Sequence, residues 1–201
     1  MASEAELQQQ IEDLKRQLEE EVGTLNQLIQ VTTKLNSTLN LTELLQLIMD
    51  SATELLHAET SSLMLVDEET NELTFEVATG EPGAEVVKYR VPPGQGIAGW
   101  VVENPQPVII DNPSEDPRFY GQMDKAIGFE TRNMLAVPLT VKDRVIGVVE
   151  VINKKDAPGF SQKDMELALA LTNQASVAID NTRMYARLAD AVVTSRLSYR
   201  L

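Results

Sequence analysis

Two strongly apolar segments late in the chain are separated by only two polar residues, and this constrains the fold more than any other feature. The segments are residues 133–141 and 144–152, with Lys142 and Asp143 between them. Apolar runs joined by so short a polar connection predict a β-hairpin. Because proline has no N–H for a strand ladder, Pro138 assigns its strand to an edge or bulge, unless the missing N–H faces outward.

Further strand candidates precede this hairpin. Residues 61–66 and 73–78 flank the polar stretch 67–72 and predict a second hairpin. Shorter candidates lie at residues 86–91 and 107–110. Antiparallel strands with helices before and after them indicate an α+β domain that carries helices on one face of the sheet.

The first 40 residues carry an apolar stripe with heptad spacing. A stripe this narrow favours a coiled coil with a second helix, and therefore a homodimer. The alternative is a single amphipathic helix that lies on the domain. The stripe consists of Leu7, Ile11, Leu14, Leu18, Leu25, Leu28, Leu35 and Leu39.

Two further helices have recognisable beginnings. Asn40 with Glu43 resembles a capping box and predicts a new helix over residues 41–57. Ser161 is the predicted N-cap of the last helix, which continues without glycine or proline to the end of the sequence. Its residues 183–201 carry sparse apolar side chains at steps of three and four and predict a second coiled segment.

Composition excludes several classes of function. Seventeen Lys and Arg against 31 Asp and Glu give a net charge of −14, which disfavours nucleic acid and anionic membranes as partners. The absence of cysteine excludes disulfides, thiolate catalysis and cysteine-bound metals, and a single histidine, His57, excludes a histidine-rich metal site. No segment approaches the ~20 apolar residues of a membrane span, and the N-terminus lacks the apolar core of a signal peptide. We therefore expect a cytoplasmic protein without metal.

Residues 94–99 read GQGIAG, which is formally a G-x-G-x-x-G motif. The helix that it would open stops at Asn104 and Pro105, after about two turns, whereas a βαβ crossover needs ten or more residues. A dinucleotide fingerprint is therefore rejected. The glycines either bring backbone close to a ligand or only form a tight turn. Trp100 on this short helix is expected to pack rather than to contact a ligand.

Residues 111–133 form the least regular part of the chain, and so long a loop in a compact domain indicates a functional role. Its aspartates, Asp111, Asp116 and Asp124, lack the spacing of a calcium-binding loop, so solvated or capping roles are the better interpretation. Glu150 lies inside an apolar strand, where an unpaired buried charge is costly. It is therefore expected to have a partner, either a protein donor or a ligand N–H.

Several motifs in order resemble a GAF domain: GIAGWVVENPQPVIIDNPSEDPRF, DKAIGFETRNMLAVPL, VIGVVEVINK and F-x-x-x-D. Over residues 40–185 the chain most resembles the GAF domains of cyclic-nucleotide phosphodiesterases and of cyanobacterial adenylyl cyclases. The resemblance implies a six-stranded antiparallel sheet with helices on one side. It also implies a lidded small-molecule pocket on the other side, and service as a regulatory sensor.

The phosphodiesterase group carries a structural motif that Asn153, Lys154, Phe160 and Asp164 match, while Met165 stands where that group has glutamate. In the family, the Lys–Asp pair ties the last strand to the last helix and supports the pocket. The resemblance therefore implies an ion pair between Lys154 and Asp164 that need not touch a ligand.

The resemblance also implies a set of ligand contacts. Two positions depart from the family: Val77 falls about where an aromatic residue stacks on the purine, and Ile127 replaces a threonine near the ligand. Structural roles are the alternative for the contacts: a satisfied strand serine, core residues, or a packed tyrosine. The positions that resemble family contacts are Ser62, Ile97, Ala98, Tyr120, Asp124, Thr131 and Glu150.

These features together predict a regulatory sensor module of a signal-transduction protein, with no catalytic residue. Residues 1–40 would form a coiled-coil helix, residues 41–182 the GAF domain, and residues 183–201 a signalling helix continuous with its last helix. A small ligand, with cAMP or cGMP as candidates, would close the loop at 111–133, and paired helices of a homodimer would signal to an output domain outside this chain. The alternative is a ligand-free dimerisation and spacer module. GAF-like reductases of free methionine sulfoxide need cysteines, which this chain lacks.

Overall fold

The computed structural model describes Gln9 and residues 41–80 and 86–198, with side-chain environments as far as residue 184. The chain divides into two units, Met1–Ser37 and Thr38–Leu201, and the fold below is that of the second. The heptad stripe predicted before residue 40, the cap at Asn40 and the apolar side chains of the coiled segment after residue 184 lie outside this description.

The second unit alternates helices with short and long strands. Within the described ranges, no helix combines the length and the hydropathy that crossing a lipid bilayer requires. In chain order the elements are α1 (Leu41–Leu55), β1 (Ala58–Val66), β2 (Leu73–Ala78), β3 (Arg90–Val91), α2 (Gly96–Glu103), β4 (Val108–Ile110), a 3-10 turn (Pro113–Glu115), α3 (Gln122–Ile127), β5 (Met134–Val141), β6 (Arg144–Lys154) and α4 (Gln162–Ser198).

The strands form one antiparallel sheet of six, in the order β3-β2-β1-β6-β5-β4, which confirms the predicted α+β architecture. Both predicted hairpins are present, and β5 and β6 close at the pair Val141 and Arg144. Pro138 pairs with Val148 of β6 on one side, and a register irregularity follows at Leu139. On the other side its missing N–H costs no ladder hydrogen bond, because β4 pairs only with Met134–Ala136. The proline therefore occupies a local edge within an otherwise central strand.

Several boundaries differ from the sequence prediction. Strand β1 begins at Ala58, three residues before its predicted start, and β6 ends at Lys154, two residues after its predicted end. The strand predicted over residues 86–91 was wrong for its first part, since only Arg90–Val91 pairs with β2. A hydrogen bond from the Tyr89 N–H to the Val86 carbonyl turns the preceding residues out of the sheet. Helix α1 ends at Leu55, before the predicted end at His57, whose φ of 49° is incompatible with a right-handed helix.

Strand alternation divides the sheet into two buried faces. On the first face, α1 packs on β1 and α4 packs on β5. Here the Ser61 hydroxyl donates to the carbonyl oxygen of Met49 in α1, and the neighbouring Leu63 is fully buried. The two long helices therefore lie on one side, as predicted.

The second face is covered by α2 and by the irregular segment after it. Ile97 and Val101 of α2 join a buried cluster with Met64, Met134 and Val148 of the sheet. Because both faces bury apolar side chains, the central strands read as nearly continuous apolar runs. This second face holds the cavity described next.

Candidate functional site

A cavity of about 100 Å³ lies between the second face of the sheet and the segments that cover it. Strands β1, β2, β5 and β6 supply its floor, the first turn of α2 supplies one wall, and residues 119–131 supply the roof. All of the ligand contacts expected from the resemblance line this one cavity, and ligand contact itself stays a prediction. These residues are Ser62, Ile97, Ala98, Tyr120, Asp124, Thr131 and Glu150.

The floor is set by strand register. Ser62 of β1 pairs with Glu150 of β6, which in turn pairs with Ala136 of β5. Side chains two residues apart on a strand share a face, so Thr60 and Ile152 join the same surface. Ser62 is only 6% exposed, and its hydroxyl has no hydrogen-bond partner within the described residues. Such a buried unpaired hydroxyl calls for an explanation in a folded protein.

Glu150 is the most perturbed group of the cavity. Its half-buried carboxyl makes no hydrogen bond or ion pair with any described residue, and no lysine or arginine in that part of the chain lines the cavity. Burial raises the pKa of Glu150 to about 7, and the charge of Asp124 adds to the rise. The protein donor expected for Glu150 is therefore absent from the described residues, which leaves a ligand N–H as the other expected partner.

The roof is held closed by a carboxylate inside the loop. Helix α3 ends at Ile127 and is capped by Gly128, whose φ of 67° reverses the chain. Asp124 of α3 then accepts hydrogen bonds from the Thr131 N–H at 2.7 Å and from the Thr131 hydroxyl at 3.0 Å. The Tyr120 hydroxyl donates to Gln122 at 2.9 Å. We call residues 111–133 the lid, and the roof of the cavity is the part of the lid over residues 119–131.

The first part of the lid is fixed outside the cavity. Arg118 donates from its guanidinium to both carboxylate oxygens of Asp116, at 2.9 and 2.7 Å, and these bonds hold the pKa of Asp116 below its usual range. The same guanidinium lies 4.3 Å from the centre of the Trp100 ring. Trp100 thus packs against the lid and is not among the cavity-lining residues.

The glycines of the GQGIAG segment serve a tight turn that also borders the cavity. Gly94 and Gly96 have φ angles of 69° and 72°, which favour glycine. A Cβ on Gly99 would lie 2.6 Å from the carbonyl carbon of Gly94, so the turn and α2 are in close contact. Gln95 provides no side-chain cap for α2, and the first-turn residues line the cavity. Both roles considered for these glycines are therefore compatible with their positions.

A β-bulge removes Val77, one of the two expected departures from the family, from the cavity floor. Phe75 pairs with Met64, but Val77 pairs with Leu63, so Glu76 is an extra residue in β2. The bulge places Val77 on the helix-covered face and leaves Phe75 on the cavity floor. An aromatic ring is therefore present beside the cavity, at a position that the sequence comparison missed.

Other cavity residues were also missed. The period of two could have identified Thr60 from Ser62, whereas the lid has no periodicity that would place its aromatic residues. Ile127, the other departure, lines the cavity. The missed residues include Thr60, Phe75, Gln95, Phe119, Met123 and Phe129.

Asn153, at the end of β6, anchors the end of the lid. It is fully buried, and its amide nitrogen donates to Glu59 and to the carbonyl oxygen of Glu130, both at 2.8 Å. Its amide oxygen accepts from the Arg132 N–H at 2.8 Å. Arg132 also pairs with Glu59 at 2.6 Å, and this hydrogen bond lowers the pKa of Glu59 despite partial burial. One side chain thus joins β1, β6 and the lid.

The next residue of β6 connects the same region to α4. The Lys154 ammonium lies 2.8 Å from the Asp164 carboxylate, and both side chains are largely buried. Asp164 also forms a capping box with Ser161, the predicted N-cap. Burial alone would raise the pKa of Asp164, but the hydrogen bonds from Lys154 and Ser161 outweigh it and lower that pKa. Phe160 is buried with its ring 6.0 Å from the ammonium, outside the cavity.

Comparison with known proteins adds independent information. A family model described as "GAF domain" matches residues 38–180. The chain is 28% identical over 165 residues to the probable 3',5'-cyclic phosphodiesterase pde-5 of Caenorhabditis elegans, a match that covers 77% of this chain and 22% of that protein. It is 29% identical over 168 residues to the dual 3',5'-cyclic-AMP and -GMP phosphodiesterase 11A of Takifugu rubripes, covering 79% and 19%.

The fold is also found among solved structures. The GAF domain from a phosphoenolpyruvate-protein phosphotransferase (ptsP) of Coxiella burnetii superimposes with a TM-score of 0.74 at 22% identity, covering 82% of this chain and 96% of that one. This likeness concerns the fold alone. The chain spans about a fifth of the length of the two phosphodiesterases that it matches.

Proposed function

Because the chain belongs to the GAF domain family, we propose that it is the sensor module of a signal-transduction protein and binds a small ligand in the cavity under the lid. The proposal rests on one observation. The Ser62 hydroxyl and the Glu150 carboxyl face the cavity without a partner among the described residues. A buried hydroxyl such as that of Ser62 is normally paired, so a ligand that pairs it and also reaches the half-buried Glu150 carboxyl would account for both groups.

A cyclic nucleotide, cAMP or cGMP, is the ligand class that we propose. Two relatives of this chain are named as phosphodiesterases of cyclic nucleotides. Phe75, Phe119 and Phe129 offer apolar faces for a planar base, and Glu150 can accept from its N–H groups. The cavity has no cationic side chain among its described lining residues, so the phosphate would rely on backbone N–H groups at the start of α2.

Ligand entry requires the lid to move. The cavity of about 100 Å³ is smaller than the roughly 300–1,000 Å³ of typical small-molecule sites. The Asp124–Thr131 hydrogen bonds and the contacts of Asn153 hold the lid in the closed arrangement. Because the lid is already closed over a small cavity, we replace the ligand-induced closure expected from the sequence by an outward displacement of the lid from β6, which enlarges the cavity when it is occupied.

A movement of the lid would be transmitted to α4 through the last residues of β6. Asn153 holds the lid, and the next residue, Lys154, holds Asp164 at the start of α4. A ligand can shift the helix arrangement only by binding one arrangement more tightly than the other. We further propose that the chain dimerises through its N-terminal helix, and that an output domain of a longer protein receives the signal through the helices.

Two measurements test ligand binding. Native mass spectrometry of the freshly purified chain asks for a dimer and for a co-purified small molecule. Calorimetry against a nucleotide panel should give saturable heat for cAMP or cGMP, weakened at least tenfold by Glu150→Ala and by Asp124→Ala. Glu76→Ala is the matched control, because Glu76 is an exposed glutamate of β2 outside the cavity lining. No heat for any nucleotide would contradict the cyclic-nucleotide proposal.

The small cavity favours a second candidate, a ligand-free dimerisation and spacer module. In that case the space beneath the lid would be too small for any metabolite, and the fold would serve only to hold two helices in register. Thermal unfolding discriminates the two candidates. A rise in midpoint with a metabolite favours the sensor, whereas an unchanged midpoint across the panel together with a dimer mass favours the spacer.

A further inference from the structure

Ser62 and Glu150 form a cross-strand pair on the cavity floor. They are directly opposite in the β1–β6 register, so their Cβ atoms lie about 5 Å apart on the same face. The Ser62 hydroxyl can donate or accept a hydrogen bond. Neither the Ser62 nor the Glu150 side chain forms a hydrogen bond with a described residue. The pair therefore presents a hydroxyl and a carboxyl side by side to whatever enters the cavity.

The surroundings allow Glu150 to exist with or without its proton. Among described residues, β1 presents hydroxyl and apolar side chains, β5 presents Ala136 opposite Glu150, and the first turn of α2 presents no ionisable side chain. The lid contributes the two other titratable groups of the lining, the Asp124 carboxylate and the Tyr120 phenol. Burial, and secondly the Asp124 charge, raise the pKa of Glu150 to about 7. Both protonation states are therefore populated near neutral pH.

We propose that the Ser62–Glu150 pair reads the hydrogen-bonding edge of a heterocyclic ligand, and that the proton on Glu150 decides which edge is accepted. An ionised carboxylate only accepts hydrogen bonds, so it requires adjacent N–H donors on the ligand. A protonated carboxyl donates once and accepts once, so it matches an edge on which an N–H lies beside a ring nitrogen acceptor. Ser62 adapts to either edge. This inference rests on the ligand binding proposed above and adds the rule of selectivity.

Calorimetry with two probes tests the rule on the full chain. Cyclic GMP carries adjacent N–H donors on its base, whereas cyclic AMP carries an amino N–H beside a ring nitrogen acceptor. The ionised fraction of Glu150 should rise from about a tenth at about pH 6 to about nine-tenths at about pH 8. We expect cyclic GMP to bind about tenfold more tightly at the higher pH and cyclic AMP to bind about tenfold more weakly.

Two variants assign these slopes to Glu150. Glu150→Gln has nearly the same shape but does not ionise, so both slopes should vanish while circular dichroism reports an unchanged fold. Asp124→Asn removes the facing negative charge, so the midpoint of the pH profile should move to lower pH. Slopes that persist in Glu150→Gln overturn the inference.

The outcomes for the unsubstituted protein separate the inference from the proposed function. Opposite slopes for the two probes support both. Binding of the probes with equal slopes, or with none, overturns the proton-dependent selectivity and leaves the sensor proposal standing. Absence of binding by both probes at every pH overturns the cyclic-nucleotide proposal and the inference together.

Discussion

Replacing Glu150 by glutamine is expected to stabilise the ligand-free protein at alkaline pH. The carboxyl of Glu150 is held in the cavity without a hydrogen-bond donor from the described residues, while glutamine fills the same space without charge. The substitution therefore removes a burial penalty and costs the fold no described contact. A group kept for ligand recognition, rather than for stability, should behave in this way.

The magnitude follows from the pKa of Glu150. Its rise from 4.5 to about 7 corresponds to about 3 kcal/mol, at about 1.4 kcal/mol for each pKa unit. Below the lower value the carboxyl is protonated in both folded and unfolded chains, and the penalty is absent. Between the two values the unfolded chain releases a proton that the folded chain keeps, so stability falls as pH rises. Above the upper value the penalty is complete, and water entering the cavity makes about 3 kcal/mol an upper bound.

Urea unfolding of the parent and Glu150→Gln, at about pH 5 and about pH 8, measures this difference. The variant should be more stable by up to about 3 kcal/mol at the higher pH and by no more than about 1 kcal/mol at the lower pH, which lies just above the ordinary pKa of 4.5. Glu76→Gln is the matched control, since Glu76 is exposed on β2 and should change stability by no more than about 0.5 kcal/mol. If Glu150→Gln and its parent differ equally at both pH values, burial of the Glu150 charge is not the cause.

Three further substitutions test the supports of the site by the same unfolding measurements. Asn153→Ala should cost about 4 kcal/mol, because the four hydrogen bonds of the Asn153 side chain are lost and alanine must adopt a φ of 62°. Asn153→Gly should cost about 1 kcal/mol less, and equal losses for the two variants would exclude backbone strain. Gly99→Ala should cost about 1–3 kcal/mol, since its Cβ would lie 2.6 Å from Gly94, and a variant as stable as its parent would contradict that close contact. Asp164→Asn should lower the free energy of unfolding by removing the contribution of the Asp164 carboxylate, which comes mainly from its hydrogen bond with Lys154. This contribution is complete above the ordinary pKa of 3.8 and is lost as the pH falls through the lowered pKa of the folded state. A stability difference between variant and parent that persists below about pH 2 would contradict this assignment.

Local sequence patterns were sufficient for most of the sheet. The apolar runs around Lys142 and Asp143 predicted the hairpin of β5 and β6, and Ser161 predicted the start of α4, because turn and capping preferences act between residues that are close in the chain. The same local reasoning misplaced the start of β3. A turn at Val86 interrupts a segment whose composition suits a strand equally well.

Two different kinds of information were needed to identify the cavity residues. Strand periodicity places Ser62 and Glu150 on a common face once the β1–β6 register is known, but the register is a long-range property. The lid contacts came from family resemblance, since the segment 111–133 has no periodicity. The resemblance could not reveal that Asp124 already pairs with Thr131, because that hydrogen bond depends on how the lid folds back.

The sequence by itself determined the α+β class, the antiparallel hairpins and the exclusion of cysteine chemistry, because these follow from composition and from short-range pattern. Only the tertiary structure decided which polar groups remain without partners. The bulge at Glu76 moves Val77 off the cavity floor and places Ala78 there opposite Ser62, while Phe75 stays on the floor. The register brings Ser62 beside Glu150 in a space without cations among its described lining residues. The pKa of Glu150 depends on this desolvated environment, which arises only when distant segments pack together.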